Sequence, residues 1–246
     1  MDLGAKIYMY CERGQDPAFW AEPLNAVSNT AFLIAALVAA YDYRSQPRES
    51  RKPAVALLIG LTSVIGIGSF LFHTYATQWA ALADRIPIAV FMVAYFAFVL
   101  RQLLGLNWIV VILGLGAFYV SVRYAGGIQC QYGELLPITA RAGARCFNGT
   151  VGYLPAFLAL LGSAAALAFH PAGRAIALAS AVFFVSMTFR TLDLELCELS
   201  RFGGHLSGSH FVWHILNGLT LYILLRAAVR HGDASPARKE PGVLQV

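Results

Sequence analysis

Five stretches of this chain, residues 54–72, 86–100, 106–122, 151–169 and 175–189, contain no Asp, Glu, Lys or Arg. A bilayer core about 30 Å thick is crossed by about 20 helical residues at 1.5 Å rise each. Runs of this kind therefore read as membrane spans rather than as helices of a water-soluble fold. Composition agrees: 13% of the 246 residues are charged, against roughly 25% in soluble domains, too few to cover a soluble surface. The pattern also argues against a β-barrel. The runs are continuously apolar and rich in Ala and Leu, whereas barrel strands alternate with period two over about ten residues.

Seven segments follow, near residues 25–43, 53–73, 79–100, 106–122, 151–169, 172–189 and 209–225. The expected fold is an all-α integral membrane protein, a single seven-transmembrane helix bundle over residues 1–231. The polar, Pro-containing residues 232–246 are expected to be a disordered tail. Residues 1–23 carry acidic groups and no apolar core, so no cleavable signal peptide is expected.

Seven spans put the termini on opposite sides. With the C-terminus cytoplasmic, the inner side receives Arg44, Arg48, Arg51, Lys52, Arg101, Arg174, Arg226, Arg230, Arg238 and Lys239. The outer side receives Lys6, Arg13, Arg85, Arg123, Arg141, Arg145, Arg190 and Arg201. The dense cluster in the short first loop favours an outside N-terminus and a cytoplasmic C-terminus under the positive-inside rule. In that orientation Cys11, Cys130, Cys146 and Cys197 all fall on the outer side, which suits one or two disulfides in an oxidising compartment. Three connectivities are open. Cys130 with Cys146 is the local pair and leaves Cys11 with Cys197; the alternative is that some are buried small hydrophobes. The net charge of +5 does not indicate nucleic acid, because the basic residues lie at span edges where they meet anionic headgroups.

Chemistry must come from the few polar groups in this background, since an ionisable group inside a span is expensive. His210 and His214 are four apart, on one helical face, so two imidazoles can converge on one ion. His73 ends the second span. The second helix runs outward and the seventh starts from the outside, so all three histidines lie at one depth near the outer face. Three histidines leave one zinc coordination position open for water, whose pKa zinc lowers to about 7. Asp84 follows His73 by eleven residues and can return beside it through a turn, to take a proton or to orient a histidine; an ion pair with Arg85 is the alternative. Ser69, one turn before His73, is either a donor to a polarised carbonyl oxygen or an ordinary interhelical hydrogen-bonding group.

These residues resemble the alkaline ceramidase family, seven-helix zinc hydrolases of a wider superfamily of membrane hydrolases and receptors. Four pieces match in order across almost the whole chain. They are Cys11–Glu12 with Glu22, Asn25, Ser28 and Asn29; Gly68–Ser69 with His73 and Asp84; Asp193 with Cys197; and His210 with Trp213–His214. The resemblance implies hydrolysis of the ceramide amide to a sphingoid base and a free fatty acid. It implies zinc on His73, His210 and His214, proton transfer by Asp84, support from Ser69, and a Cys11–Cys197 disulfide. It also raises calcium near the N-terminus, with Glu12, Asp16, Glu22 and Asn25 as oxygen donors, calcium taking six to eight oxygens. There the chain departs from the family: Met9–Tyr10 stands where the family has Asp-Trp, Gly14 where it has Asn, and the segment to Glu22 is one residue shorter. The alternative is a solvated acidic segment with Glu22 capping the first helix. Two other readings remain open: a zinc-containing lipid receptor or sensor, or a membrane hydrolase of another lipid bond. A transporter is disfavoured, because no inverted repeat with paired broken helices is apparent.

Overall fold

The computed structural model describes residues 2–129 and 146–232. Seven helices among them are long and apolar enough to cross a membrane: Pro23–Ser45, Pro53–Tyr75, Gln78–Leu103, Trp108–Gly127, Cys146–Ala166, Pro171–Leu192 and His210–His231. They are called spans 1 to 7. The protein is thus a multi-pass integral membrane protein with the expected all-α architecture. The tail from residue 233 and Cys130, hence the expected Cys130–Cys146 bridge, lie outside the described residues.

Local chemistry sets the helix ends. Pro23, Pro53 and Pro171 stand at the first helical positions of spans 1, 2 and 6, where a missing N–H costs nothing and φ is already helical. Asn107 caps span 4 by accepting from the Val110 amide at 3.1 Å. Several boundaries differ from those expected; spans 4 and 7 run on to Gly127 and His231, and three other differences bear on the site. Span 1 starts two residues earlier and is interrupted at Asn29, between helices Pro23–Ser28 and Thr30–Ser45. Span 3 runs on to Leu103 through a π-helical turn. Span 5 opens with Phe147, Asn148 and Gly149 in left-handed conformation.

Small residues bring the helices close, as expected where lipid supplies no hydrophobic drive between them. Ala35, Ala36 and Ala39 of span 1 and Ala227 and Ala228 of span 7 are buried, whereas Leu37, Ile109, Leu113 and Phe184 face outward, toward the bilayer. Gly68 decides one contact. A Cβ there would overlap the carbonyl of Ala83, so only glycine lets spans 2 and 3 touch at this level, immediately beside Ser69 and Asp84. Spans 1, 3 and 7 begin, and spans 2 and 6 end, at one face of the bundle. The N-terminal segment crosses that face, bridged to span 3 by the Lys6–Thr77 pairing and to the loop before span 7 by the Cys11–Cys197 disulfide.

Candidate metal centre and lipid pocket

At this face His73, His210 and His214 converge. Their ring centroids are 5.3, 4.7 and 4.6 Å apart, one ligand nitrogen from each falls within 4.8 Å of the others, and all three are at most 2% exposed. They are the group of histidines, cysteines or carboxylates able to hold a metal among the described residues. Asp193, the residue after span 6, accepts from the amides of Cys11 at 3.0 Å and of Ser209 and His210 at 2.9 Å each. One carboxylate thus fixes the start of span 7, the disulfide segment and His210 together. Gly208 makes this possible: its φ is +62°, and a Cβ would collide with the Asp193 carboxylate.

The neighbours of two histidines set their tautomers. Glu22 Oε2 accepts from His73 Nδ1 at 2.5 Å. Ser28 Oγ donates its proton to the Asn25 carbonyl at 2.9 Å, so its oxygen accepts from His214 Nδ1 at 2.8 Å. Both contacts leave Nε2 with its lone pair, the form a metal needs, and carboxylate or hydroxyl partners of this kind orient metal-binding imidazoles. His210 Nδ1 is buried with no hydrogen-bond partner among the described residues, while Tyr10 stacks on its ring at 3.8 Å. Burial works against charge on Glu22, but His73 and Arg13 outweigh it and hold Glu22 below the ordinary carboxylate value. The donor set therefore fits a divalent transition metal.

Asp84 is at the start of span 3 and lines the same pocket as the histidines; Ser69 lies beside it. The Asp84 carboxylate takes a hydrogen bond from Ser69, while its Oδ1 is buried with no hydrogen-bond partner among the described residues; the Nε of neighbouring Arg85 donates instead to the Ala81 carbonyl. The same pocket, with a volume of about 280 Å³, extends past the site between Phe91, Tyr95, Val99, Leu221 and Leu224.

Two of the four residues considered for calcium, Glu22 and Asp16, hold another cation. Arg13 is 3% exposed, and all five of its N–H groups are engaged. Nε meets Glu22 Oε1 at 2.5 Å, Nη1 the carbonyls of Asp16 and Ala18, and Nη2 the carbonyls of His73 and Thr74. Carboxylate and carbonyl oxygens are the ligands calcium would take, and here a guanidinium collects them. Glu12 is also occupied: its two oxygens accept from the Leu24 and Asn25 amides at 2.7 and 2.8 Å. Glu12, rather than Glu22, caps the first helix; burial pushes it up to about 7 despite those two amides. Asp16 Oδ1 accepts from the Ala18 amide. The set does not fit calcium.

Sequence reasoning placed the histidines, Asp84 and Ser69 in one pocket. It did not assign roles to Ser28, Asp193, Arg13 or Tyr10. Ser28 and Asp193 stood in the matched motifs, which was the available signal; Tyr10 is a departure from the pattern, Arg13 lies outside the matched positions, and neither carried one.

A protein-family model, Ceramidase, matches residues 10–241, while no curated protein matches the chain. The match spans every element that builds the site, from Tyr10 above His210 to the end of span 7. The family is generally metal-dependent, in keeping with the three-histidine group. The chain belongs to the ceramidase family and is a hydrolase of the amide bond of ceramides.

Proposed function

We propose that this protein is a zinc-dependent intramembrane amidase that cleaves ceramide-like lipids to a sphingoid base and a free fatty acid, with its site near the non-cytoplasmic face. The observation that carries the reading is the convergence of three buried histidines, two with their Nδ1 atoms engaged, on a pocket that also contains a carboxylate with one oxygen unpaired among the described residues. Three imidazoles suit zinc with an open position. Zinc held by His73, His210 and His214 supplies Lewis acidity, which polarises the amide carbonyl and acidifies water.

The chain's own residues supply the rest. Asp84, with Oδ1 unpaired, accepts a proton from the attacking water and returns it to the departing nitrogen. Ser69 donates toward the carbonyl oxygen as negative charge develops there. The apolar part of the pocket holds the acyl chain, and the enclosed setting excludes competing water. In the balance, the amide C–N bond breaks, water adds its hydroxyl to the acyl carbon, and its proton goes to nitrogen. Calcium has no part in this reading, because Arg13 and backbone amides engage carboxylate oxygens of Glu22, Glu12 and Asp16 that it would need.

The test is fatty-acid release from a panel of amide and ester lipids, with zinc measured on the same samples. Wild type is expected to cleave the amides with one zinc per chain. Asp84→Asn is expected to keep its zinc and lose about 10²–10⁴-fold in turnover, the span of general acid–base contributions. Full activity of Asp84→Asn removes the proton-transfer role, and an inert wild type overturns the amidase reading.

A further inference from the structure

Arg190 stands in the last turn of span 6, 8% exposed, and lines the pocket with His210, His214 and Asp84. A guanidinium at such a place is costly unless an anion or a full set of acceptors compensates it. Among the described residues no carboxylate lies within ion-pair distance of it; the pairs there are Arg13–Glu22, His73–Glu22 and Arg201–Glu198. Nε is buried without a hydrogen-bond partner among the described residues. Nη1 donates to Tyr10 Oη at 3.2 Å. The contrast with Arg13, whose five donors are all engaged, is direct.

Three aromatic rings hold the group in place. The guanidinium carbon lies 5.8 Å from the Tyr10 ring, 5.4 Å from Tyr153 and 5.3 Å from Trp213. Cation–π contacts of this kind stabilise a cation, but ring faces offer no lone pair to the in-plane N–H fork. Asp84 and Asp193 act on Arg190 only through space, and Asp193 is already shared among three backbone amides. A held guanidinium with an unpaired Nε, in the lining of the pocket of a site that handles lipids, is suited to receive an oxyanion. The planar fork matches carboxylate and phosphate in two-point contact.

We propose that Arg190 is the anion-recognising side chain of this pocket and takes an oxyanion of the bound lipid. Resting on the amidase reading, that oxyanion is either the carboxylate left when the amide is cleaved or an acidic group on the headgroup of the incoming lipid. In both cases Arg190 is a specificity-determining residue. It gives an apolar pocket an affinity for charged lipid that chain burial cannot supply.

The experiment is equilibrium binding to the full, zinc-loaded chain in detergent. The probes are palmitate and hexadecanol, which share a chain and differ in charge, and in a second arm ceramide 1-phosphate and ceramide. Wild type is expected to bind one anionic probe at least 10-fold tighter than its neutral partner. Arg190→Gln is expected to erase that ratio while neutral-probe affinity and zinc content stay as in wild type, and Arg190→Lys to restore part of it. A palmitate preference alone assigns the product carboxylate; a phosphate preference alone assigns the headgroup. No preference in wild type, or one that survives Arg190→Gln, overturns the proposal. If Arg190→Gln does not fold, Arg190→Lys decides: an anionic ratio unchanged from wild type overturns it, because two-point contact is lost with a point charge. Binding is read without turnover, so a failure of the amidase reading in the lipid panel remains a separate result.

Discussion

Ser28 carries a consequence out of proportion to its size. Its hydroxyl proton goes to the Asn25 carbonyl, which leaves only its oxygen to face His214. The tautomer of one candidate metal-binding imidazole is thus set at the end of the first short helix, where this serine and the Asn25 backbone meet His214. Glu22 does the same for His73, but it also neutralises Arg13, so removing it would leave an uncompensated buried charge and confuse metal loss with misfolding. Ser28→Ala isolates the effect. It is expected to lower zinc affinity about 10–100-fold, the usual cost of removing such an orienting partner, with little change in melting temperature. Competition with a zinc chelator measures this, and an affinity equal to wild type would show that Ser28 does not orient the ligand.

At the level of elements, the seven spans were legible because a bilayer demands long apolar helices and nothing else in the chain meets the demand. The site was partly legible for the same reason: His73, His210, His214 and Asp84 stand out where every ionisable group is an expense. What was hidden is the polar lattice behind them. Asn25, Ser28 and Asn29 are half-buried or buried at the very start of span 1, where the sequence reads only as a polar edge, and the break at Asn29 follows from contacts no local pattern encodes. The Arg13 cluster was unreadable because four of its partner residues contribute backbone carbonyls, and any residue type supplies those. The Gly68–Ala83 contact was hidden too, since glycine is common in spans and only the partner helix shows which one is needed. Gly68→Ala must push spans 2 and 3 apart and move Ser69 from Asp84. The overpacking costs about 1–3 kcal/mol. The expected result is a lower melting temperature and at least a 10-fold loss of turnover. Gly60→Ala, on the same helix with no atom near its Cβ, serves as the control and leaves both unchanged. Equal behaviour of the two variants would show that close approach at Gly68 does not set the site.

For the whole molecule, one end of the bundle holds the chemistry and the other holds much of the charge. The disulfide, the metal centre, the N-terminal segment and the hairpin of Arg201–Phe202 with His205–Leu206 share the first end. Arg44, Arg48, Arg51 and Lys52 crowd the loop at the opposite one. Two independent principles orient such a molecule the same way: basic short loops stay in the cytoplasm, and disulfides persist where the medium is oxidising. We therefore expect the site end to face away from the cytoplasm, so that lipid would reach the pocket from the outer leaflet. Every cysteine in the described part of the chain is bonded, so single added thiols report side without interference from free native ones. Phe202→Cys, at an exposed position of the hairpin, is expected to react with a membrane-impermeant maleimide on intact cells. Glu49→Cys, in the loop after span 1, is expected to react only after the membrane is opened. The opposite pattern would place the basic loop outside and the disulfide in a reducing compartment, and the site would then draw its lipid from the cytoplasmic leaflet.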